Sequence, residues 1–412
     1  MKETVHEIWL SLALGQGGPF RKLFETFENA RGVWEAGPEE LSSAGLPERL
    51  VRRLEDRDLA RAAETARFCE KNGVKTLVYG DPRYPAKLAG IPNPPYLLYV
   101  SGDLPEVDGR LSLAVVGTRE MTGYGMRAGY RTAYEAASAG AVIISGMAKG
   151  IDGTAAAGAI EAGGKTVAVI GCGIDIAYPR EHARLMDSIS GNGAVISEYP
   201  PSSPPLAGHF PVRNRIISGL SDGVFVVEAG LKSGAMLTAD IAKNQGRDVF
   251  ALPGRTEDAL SAGPNLLIRD GAFPVIDTGD ILSRYAGRYS ATLSAESYAR
   301  STVSSDIDDA VLGEFGLTGA AGGIAAASDD AAGRKKPRTV TDPAPAGRQN
   351  GRTRMPPEGE LRDFYLLIPR GERVSADFFV PRGYSAESAM RLLTLLEISG
   401  FVTGIPGGMY VL

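Results

Sequence analysis

Six cations follow the apolar, strand-like runs in the middle of the chain, each in a turn or loop after a run. They are Arg119, Lys149, Arg180, Arg213, Arg215 and Lys232. The loops that follow successive parallel strands lie on one edge of an open α/β sheet, where such folds bind their ligands. The recurrence of a cation at equivalent strand ends therefore predicts a basic pocket for an anion.

Two turns of small residues stand at the centre of this pattern. The apolar run 113–116 ends at Gly117-Thr118-Arg119, and the run 141–144 opens into the turn 145–153. Helices are expected to begin directly after both turns, so each turn presents backbone N–H groups that no helix carbonyl accepts. Such groups suit an anion, and a phosphate above all.

The turns lack the motifs of two common phosphate ligands. A dinucleotide site needs G-x-G-x-x-G, but the turn 117–122 lacks the second glycine. The next strand ends in Ser145, where that site needs an acidic residue. The sequence also has no G-x-x-x-x-G-K-[ST] phosphate loop. Sites for NAD and ATP are therefore disfavoured.

Phe210 adds an aromatic ring to the basic pattern. It lies close in sequence to Arg213 and Arg215, and an aromatic face next to cations is the combination that holds a single nucleic-acid strand. A phenylalanine buried in the core is the alternative interpretation of the same residue.

Apolar runs and helical stretches alternate over residues 111–286. After the first two runs come four more, at 166–170, 194–197, 223–227 and 248–252. Short runs that are apolar throughout are typical of strands buried on both faces of a parallel sheet. The alternation predicts an α/β fold with a doubly wound parallel, Rossmann-like sheet.

The rest of the chain divides by composition. Residues 1–72 read as short helices joined by glycine turns, a sterile-alpha or helix-hairpin-helix type of module that binds DNA or protein or packs on its neighbour. Residues 73–112 form a connector, so the sheet domain spans 73–286. Residues 287–357 predict a flexible linker. Residues 358–412 predict three helices and a hairpin, which is the winged-helix pattern. The alternatives for this part are contact with a protein, recognition of a DNA groove, or a structural role.

Composition limits the classes of partner. Lys and Arg number 44 against 49 acidic residues, so a nucleic-acid site has to be a local pocket and not a basic surface. Two cysteines, Cys69 and Cys172, give no disulfide framework or metal spacing. The N-terminus has no signal-peptide shape, and no apolar run approaches about 20 residues, so we expect a cytoplasmic protein without membrane contact.

Seven motifs, in order along residues 111–286, resemble the DNA-processing protein A family, also called DprA or Smf. They are VGTR at 116–119, SGMAKGID at 145–152, GCGID with YP at 171–179, HFPVRNRII at 209–217, SG with TA at 233–239, ALPG at 251–254, and GPN with GA at 263–272. The helical front, the connector and the winged-helix tail also resemble that family's layout.

The resemblance implies a protein that binds single-stranded DNA and delivers it to the recombinase RecA during natural transformation. It implies no catalytic turnover and no cofactor, and it implies a homodimer formed through the sheet domain. Arg119 would make the central phosphate or base contact, and the turn from Ser145 would cradle phosphate. The full set of implied DNA- or phosphate-binding residues is Gly117, Thr118, Arg119, Ser145, Gly146, Lys149, Gly150, Arg180, Phe210, Arg213, Asn214, Arg215, Lys232, Ser233 and Gly234.

Two positions depart from the family's pattern. Its usual Gly-Ser-Arg is Gly117-Thr118-Arg119 in this chain, a change that keeps a hydroxyl. Its usual Ser-Gly-Ser ends in Ala235 here, so a phosphate contact through that hydroxyl does not carry over.

An enzyme is the alternative function. The fold also resembles that of lysine-decarboxylase-like nucleoside-monophosphate phosphoribohydrolases, whose Gly-Gly-x-Gly-Thr-x-x-Glu turn carries a glutamate for glycosidic cleavage. The corresponding turn runs from 230 to 239, and no glutamate follows Thr238. Glu228, Glu198 and Asp175 lie at strand ends without a predicted carboxylate pair, so hydrolysis is less favoured. A nucleotide-sensing scaffold is a third reading that the sequence leaves open.

Overall fold

The computed structural model describes residues 2–294, together with Gly313, Leu317 and parts of a C-terminal unit. Those parts are 364–365, 367–369, 374–382, 384, 388–389, 392–393, 396, 402–405 and 409–411. The chain divides into two compact units, Met1–Ala326 and Ala327–Leu412. Most of the predicted linker lies outside the described residues.

Short helices fill the first part of the larger unit. They are α1 (Lys2–Leu14), α2 (Phe20–Phe24), α3 (Ala30–Glu35), α4 (Pro38–Ser43), α5 (Glu48–Glu55) and α6 (Ala60–Lys71). The ring of Phe20 lies 4.8 Å from that of Tyr79 and 5.3 Å from that of Tyr96, measured between centroids. These aromatic contacts attach the helices to the connector, where both tyrosines stand.

A nine-stranded sheet forms the centre of the larger unit. Its strands are β1 (Lys75–Val78), β2 (Leu97–Gly102), β3 (Ser112–Val116), β4 (Val142–Ser145), β5 (Lys165–Ile170), β6 (Ala194–Ser197), β7 (Gly223–Val226), β8 (Asp248–Ala251) and β9 (Phe273–Pro274). Their order is β1-β2-β6-β5-β4-β3-β7-β8-β9. The seven strands from β6 to β9 are parallel, whereas β1 and β2 extend the sheet in antiparallel register. The predicted α/β fold with a largely parallel sheet is confirmed.

Helices cover the sheet and connect its strands. They are α7 (Ala86–Ala89), α8 (Gly123–Ser138), α9 (Ile151–Glu161), α10 (Ala183–Asn192), α11 (His209–Gly219), α12 (Gly234–Asn244), α13 (Ala262–Arg269) and α14 (Gly279–Tyr285). All five residues of β3 are buried, because helices pack on both faces of the strand. Across the described residues, no helix has the length and apolarity needed to cross a bilayer.

Residues 287–294 continue the sheet domain. They belong to the linker predicted from the sequence, but Tyr289 is 5% exposed and its hydroxyl donates to Asp222 Oδ1 at 2.8 Å. Arg288 Nη1 lies 3.3 Å from the same carboxylate oxygen. A buried carboxylate at the start of β7 thus holds this segment, and local composition does not reveal such a partner.

The C-terminal unit has its own core. Its described residues include a 3-10 helix, Ala376–Arg382, and an antiparallel hairpin of β10 (Thr403–Ile405) and β11 (Met409–Val411). Phe364 and Phe379 are buried together, with ring centroids 4.2 Å apart. The hairpin lies where the sequence predicts the wing, while most of the predicted third helix lies outside the described residues.

Candidate functional site

A cavity of about 360 Å³ lies at the carboxyl edge of the parallel strands. The loop after β3, the first half of α11 and the start of α12 supply most of its lining. Eight of the residues that the sequence singles out line it: Gly117, Thr118, Arg119, Phe210, Arg213, Asn214, Ser233 and Gly234. The loop and the two helix starts therefore meet at one place, as expected for the carboxyl edge of a parallel sheet.

Arg119 is the exposed cation of this cavity. Its guanidinium carbon lies 5.5 Å from the centroid of the Phe210 ring, within the range of a cation–π contact. The centroid of the Tyr178 ring lies 5.4 Å from that of the Phe210 ring, with 39° between the ring planes, and Tyr178 is 38% exposed. Among the described residues, no carboxylate forms an ion pair with Arg119. The three side chains present a cation and two aromatic rings together.

Tyr178 belongs to the YP motif but not to the site predicted from the sequence. Its loop follows β5, whereas Phe210 begins α11, so no spacing rule brings the two rings together. An aromatic residue in a turn, two positions before Arg180, was the available signal.

The loop that carries Arg119 is held by backbone hydrogen bonds to two other segments, one after β7 and one at the start of α9. The N–H of Thr118 donates to the Glu228 carbonyl at 2.7 Å, and its carbonyl accepts from the N–H of Ile151 at 3.2 Å. Gly150 has φ +82°, and a Cβ there would lie 2.3 Å from the Thr118 carbonyl oxygen. Gly150 thus acts by allowing close backbone approach.

Arg213 and Asp152 converge on Gly146 beneath the cavity surface. Arg213 is 4% exposed, and its Nη1 donates to the Gly146 carbonyl at 2.9 Å. Asp152 Oδ2 accepts from the Gly146 N–H at 3.1 Å. A Cβ on Gly146 would lie 2.6 Å from Asp152 Oδ2 and 2.7 Å from Arg213 Nη1. The turn therefore has room for both charged groups because residue 146 is glycine.

Burial changes the proton affinity of both charged groups. It raises the pKa of Asp152 to about 6, although the charge of Arg213 and the N–H groups of Gly146, Ala148 and Gly117 lower it. Burial also lowers the pKa of Arg213 to about 10, so the guanidinium stays charged at neutral pH. The floor of the cavity therefore holds a guanidinium next to a carboxyl group, and that carboxyl group becomes an anion as the pH rises above about 6.

The raised pKa of Asp152 predicts a specific dependence of stability on pH. An unfolded chain titrates its aspartates near about pH 3.9, so the folded protein binds more protons between about pH 4 and pH 6. The stability contributed by this group is present below that window and is lost as the pH rises through it. As the pH rises through this window, the free energy of unfolding of wild type should fall relative to that of Asp152→Asn, by up to about 1.4 kcal/mol per pH unit.

Urea denaturation of both proteins at a series of pH values measures that difference. Every other carboxylate titrates alike in the two proteins and cancels in the comparison. Parallel pH profiles would show that the folded protein does not raise the pKa of Asp152.

The N-terminus of α12 forms a further wall of the cavity. The Ser233 side chain caps this helix by accepting from the Met236 N–H at 3.4 Å. Asn214 Nδ2 donates to the Gly234 carbonyl at 3.3 Å and so ties α11 to the same turn. A helix N-terminus carries about half a positive charge, which favours an anion in the cavity.

Seven residues of the predicted set lie outside the cavity lining. Ser145 is buried, and its hydroxyl donates to the Val115 carbonyl at 2.7 Å. Gly146 and Gly150 lie behind the lining, in the turns described above. Lys149, Arg180 and Lys232 are exposed on neighbouring loops. Arg215 forms an ion pair with Glu198 instead.

The carboxylate that precedes the α12 turn has structural partners. Glu228 is 3% exposed and accepts from both the N–H and the hydroxyl of Thr122, the N-cap of α8. A Cβ on Gly125 would lie 2.3 Å from its carboxylate carbon. Glu228 is thus packed against the start of α8 and does not line the cavity.

Comparison with known proteins gives a consistent family. A family model described as DNA recombination-mediator protein A matches residues 75–286. The DNA processing protein DprA of Bacillus subtilis is 40% identical over 218 residues, 53% of this chain and 73% of the relative. The DprA of Streptococcus pneumoniae is 43% identical over 205 residues, 50% of this chain and 72% of the relative.

A solved structure extends the match beyond the sheet. The X-ray structure of DprA from Streptococcus pneumoniae is 36% identical in sequence and superposes with a TM-score of 0.61. The alignment covers 69% of this chain and 98% of that structure. With a family model that matches more than half of its 412 residues, this chain belongs to the DNA recombination-mediator protein A family.

Proposed function

We propose that the cavity binds single-stranded DNA and that the chain acts as a recombination mediator without catalytic turnover. The observation that carries this proposal is the exposed guanidinium of Arg119 over the Phe210 ring, together with the Tyr178 ring, which also contacts Phe210. Cations follow the phosphate backbone of a single strand, while aromatic faces stack its bases. This site offers both groups within one base-sized space.

The geometry favours an unpaired strand over a duplex. A base reaches the rings of Phe210 and Tyr178 only when it has left its neighbours and its partner strand. The first turn of α12 supplies positive potential for the phosphate that follows such a base, and the exposed guanidinium of Arg119 adds a charge in the same cavity. A net charge of −5 agrees with a local site and not with a surface that coats duplex DNA.

Family membership supports the next step of the proposal. The matching family model is described as a DNA recombination mediator, so the bound strand is proposed to be passed to the recombinase RecA. A homodimer, which would place two such cavities on one particle, belongs to the same proposal. Loading is measured by the rate at which RecA covers an oligonucleotide with and without this protein.

The binding proposal is tested by fluorescence anisotropy of a labelled oligo-dT over a salt series. Tight binding that weakens with salt, and that neither duplex DNA nor AMP displaces, is the expected result. Displacement by AMP, together with weak binding of the oligomer, would instead indicate a mononucleotide site and would redirect the assay to phosphoribohydrolysis.

Tyr178 is expected to contribute to binding through its ring. Tyr178→Ala should weaken oligo-dT binding by about 1 kcal/mol, the low end for loss of one stacked base. Tyr178→Phe keeps the ring and serves as the matched control, with affinity near that of wild type. Anisotropy titrations at one salt concentration compare the three proteins. An equal loss in both variants would assign the effect to the hydroxyl and contradict stacking.

A further inference from the structure

One buried ion pair lies on the side of α11 that faces away from the cavity. Arg215 Nη2 donates to both carboxylate oxygens of Glu198, at 2.7 and 2.8 Å. The Arg215 side chain is 12% exposed and that of Glu198 is 5% exposed. Because both charges have left water, the pair needs further hydrogen bonds to be stable.

Those further hydrogen bonds come from two other segments of the chain. Glu198 Oε1 also accepts from the backbone N–H of Gly17 at 3.0 Å, in the turn between α1 and α2. Arg215 Nε donates to the Asn93 carbonyl at 2.9 Å, in the connector. The end of β6, the helix α11, the connector and the N-terminal helices are therefore joined at one ion pair.

Helical geometry separates Arg215 from the residues that line the cavity. Positions two apart on an α-helix differ by about 200° in direction, so Arg213 and Arg215 face opposite sides of α11. The contacts agree, since Arg213 reaches Gly146 and Arg215 reaches Glu198. A shift of α11 on one side is therefore transmitted to the cavity on the other.

We infer that Glu198 and Arg215 are positioning residues, which fix α11 and tie its DNA-facing side to the Gly17 turn of the N-terminal helices. Arg215 acts on DNA through Arg213 and Asn214 and makes no phosphate contact of its own. Displacement of the Gly17 turn, by a partner of the N-terminal helices or by mutation, then alters affinity in the cavity. The inference rests on the proposed function.

Neutral substitutions separate positioning from direct contact, because the two roles predict opposite effects at Glu198. If Arg215 contacted phosphate, Glu198→Gln would remove a competing anion and leave binding unchanged or stronger. If the pair positions α11, Glu198→Gln and Arg215→Gln should each weaken oligo-dT binding roughly two- to thirtyfold. The double variant should bind oligo-dT no more weakly than the single variants, because the same interaction is lost in all three.

The salt dependence of binding gives a second readout on the same full-length proteins. A lost phosphate contact lowers the slope of log affinity against log salt by about one, whereas a lost positioning contact leaves it unchanged. Asp222→Asn is the matched control, since it breaks the buried Lys87–Asp222 pair at the opposite edge of the sheet. Its affinity should equal that of wild type below its melting temperature.

Three results would overturn the inference. The first is a lower salt slope in Arg215→Gln together with unchanged or stronger binding in Glu198→Gln. The second is wild-type affinity in both variants. The third is a loss of affinity in the Asp222→Asn control equal to that in the pair variants. If wild type itself does not bind oligo-dT, the proposed function fails separately. Amide hydrogen exchange of α11 then tests the pair, with faster exchange expected in both pair variants and not in the control.

Discussion

Replacing Gly150 with alanine is expected to destabilise the protein by about 2–5 kcal/mol and to abolish tight binding of single-stranded DNA. The backbone at Gly150 has φ +82° and ψ −131°, a region that glycine populates and that costs other residues about 1–3 kcal/mol. The added Cβ would also lie 2.3 Å from the Thr118 carbonyl oxygen and 2.8 Å from Arg119 Cα. Because these are backbone atoms, relief of the overlap has to move the loop that presents Arg119.

Gly163→Ala is the matched control for this substitution. Gly163 has φ +67° and nothing within 4 Å of an added Cβ, so the change carries the backbone cost of about 1 kcal/mol without the overlap. Urea denaturation and oligo-dT anisotropy of both variants separate the two contributions. Equal destabilisation, or wild-type affinity in folded Gly150→Ala, would contradict the close approach as the determinant of the Arg119 loop.

The strands and several helix ends follow from short-range sequence patterns. β3 is predicted from four apolar residues in a row, and it is buried along its whole length. Threonine is a common N-cap residue, and the Thr122 side chain caps α8 by accepting from the Gly125 N–H at 3.2 Å. β9 has two residues, too few for a periodic pattern, and was missed.

The direction of individual side chains depends on long-range contacts that local patterns do not contain. Arg213 and Arg215 belong to one motif, and from the sequence both are predicted to lie along the DNA. In the structure Glu198, directly after β6, pairs with Arg215, while Arg213 lines the cavity. The same limit explains Tyr178, because its contact with Phe210 joins the loop after β5 to the start of α11.

Arg119→Ala should weaken the binding of single-stranded DNA by about 1–3 kcal/mol, the range for loss of one charge-assisted contact. Arg119 is exposed, and its side chain packs on the Phe210 ring at the cavity surface, so the variant should fold as wild type does. Arg119→Lys keeps the charge but loses the planar guanidinium, so its affinity should fall between the other two. Anisotropy titrations over a salt series measure all three affinities.

Arg127→Ala is the matched control, because it removes an equal charge from an exposed position of α8 that does not line the cavity. If Arg119 contacts a phosphate, Arg119→Ala should also lower the slope of log affinity against log salt by about one. A loss of affinity without a change of slope would assign Arg119 to a base, because stacking releases no counterion. An unchanged affinity, or an equal loss in Arg127→Ala, would show that general charge and not this cavity holds the strand.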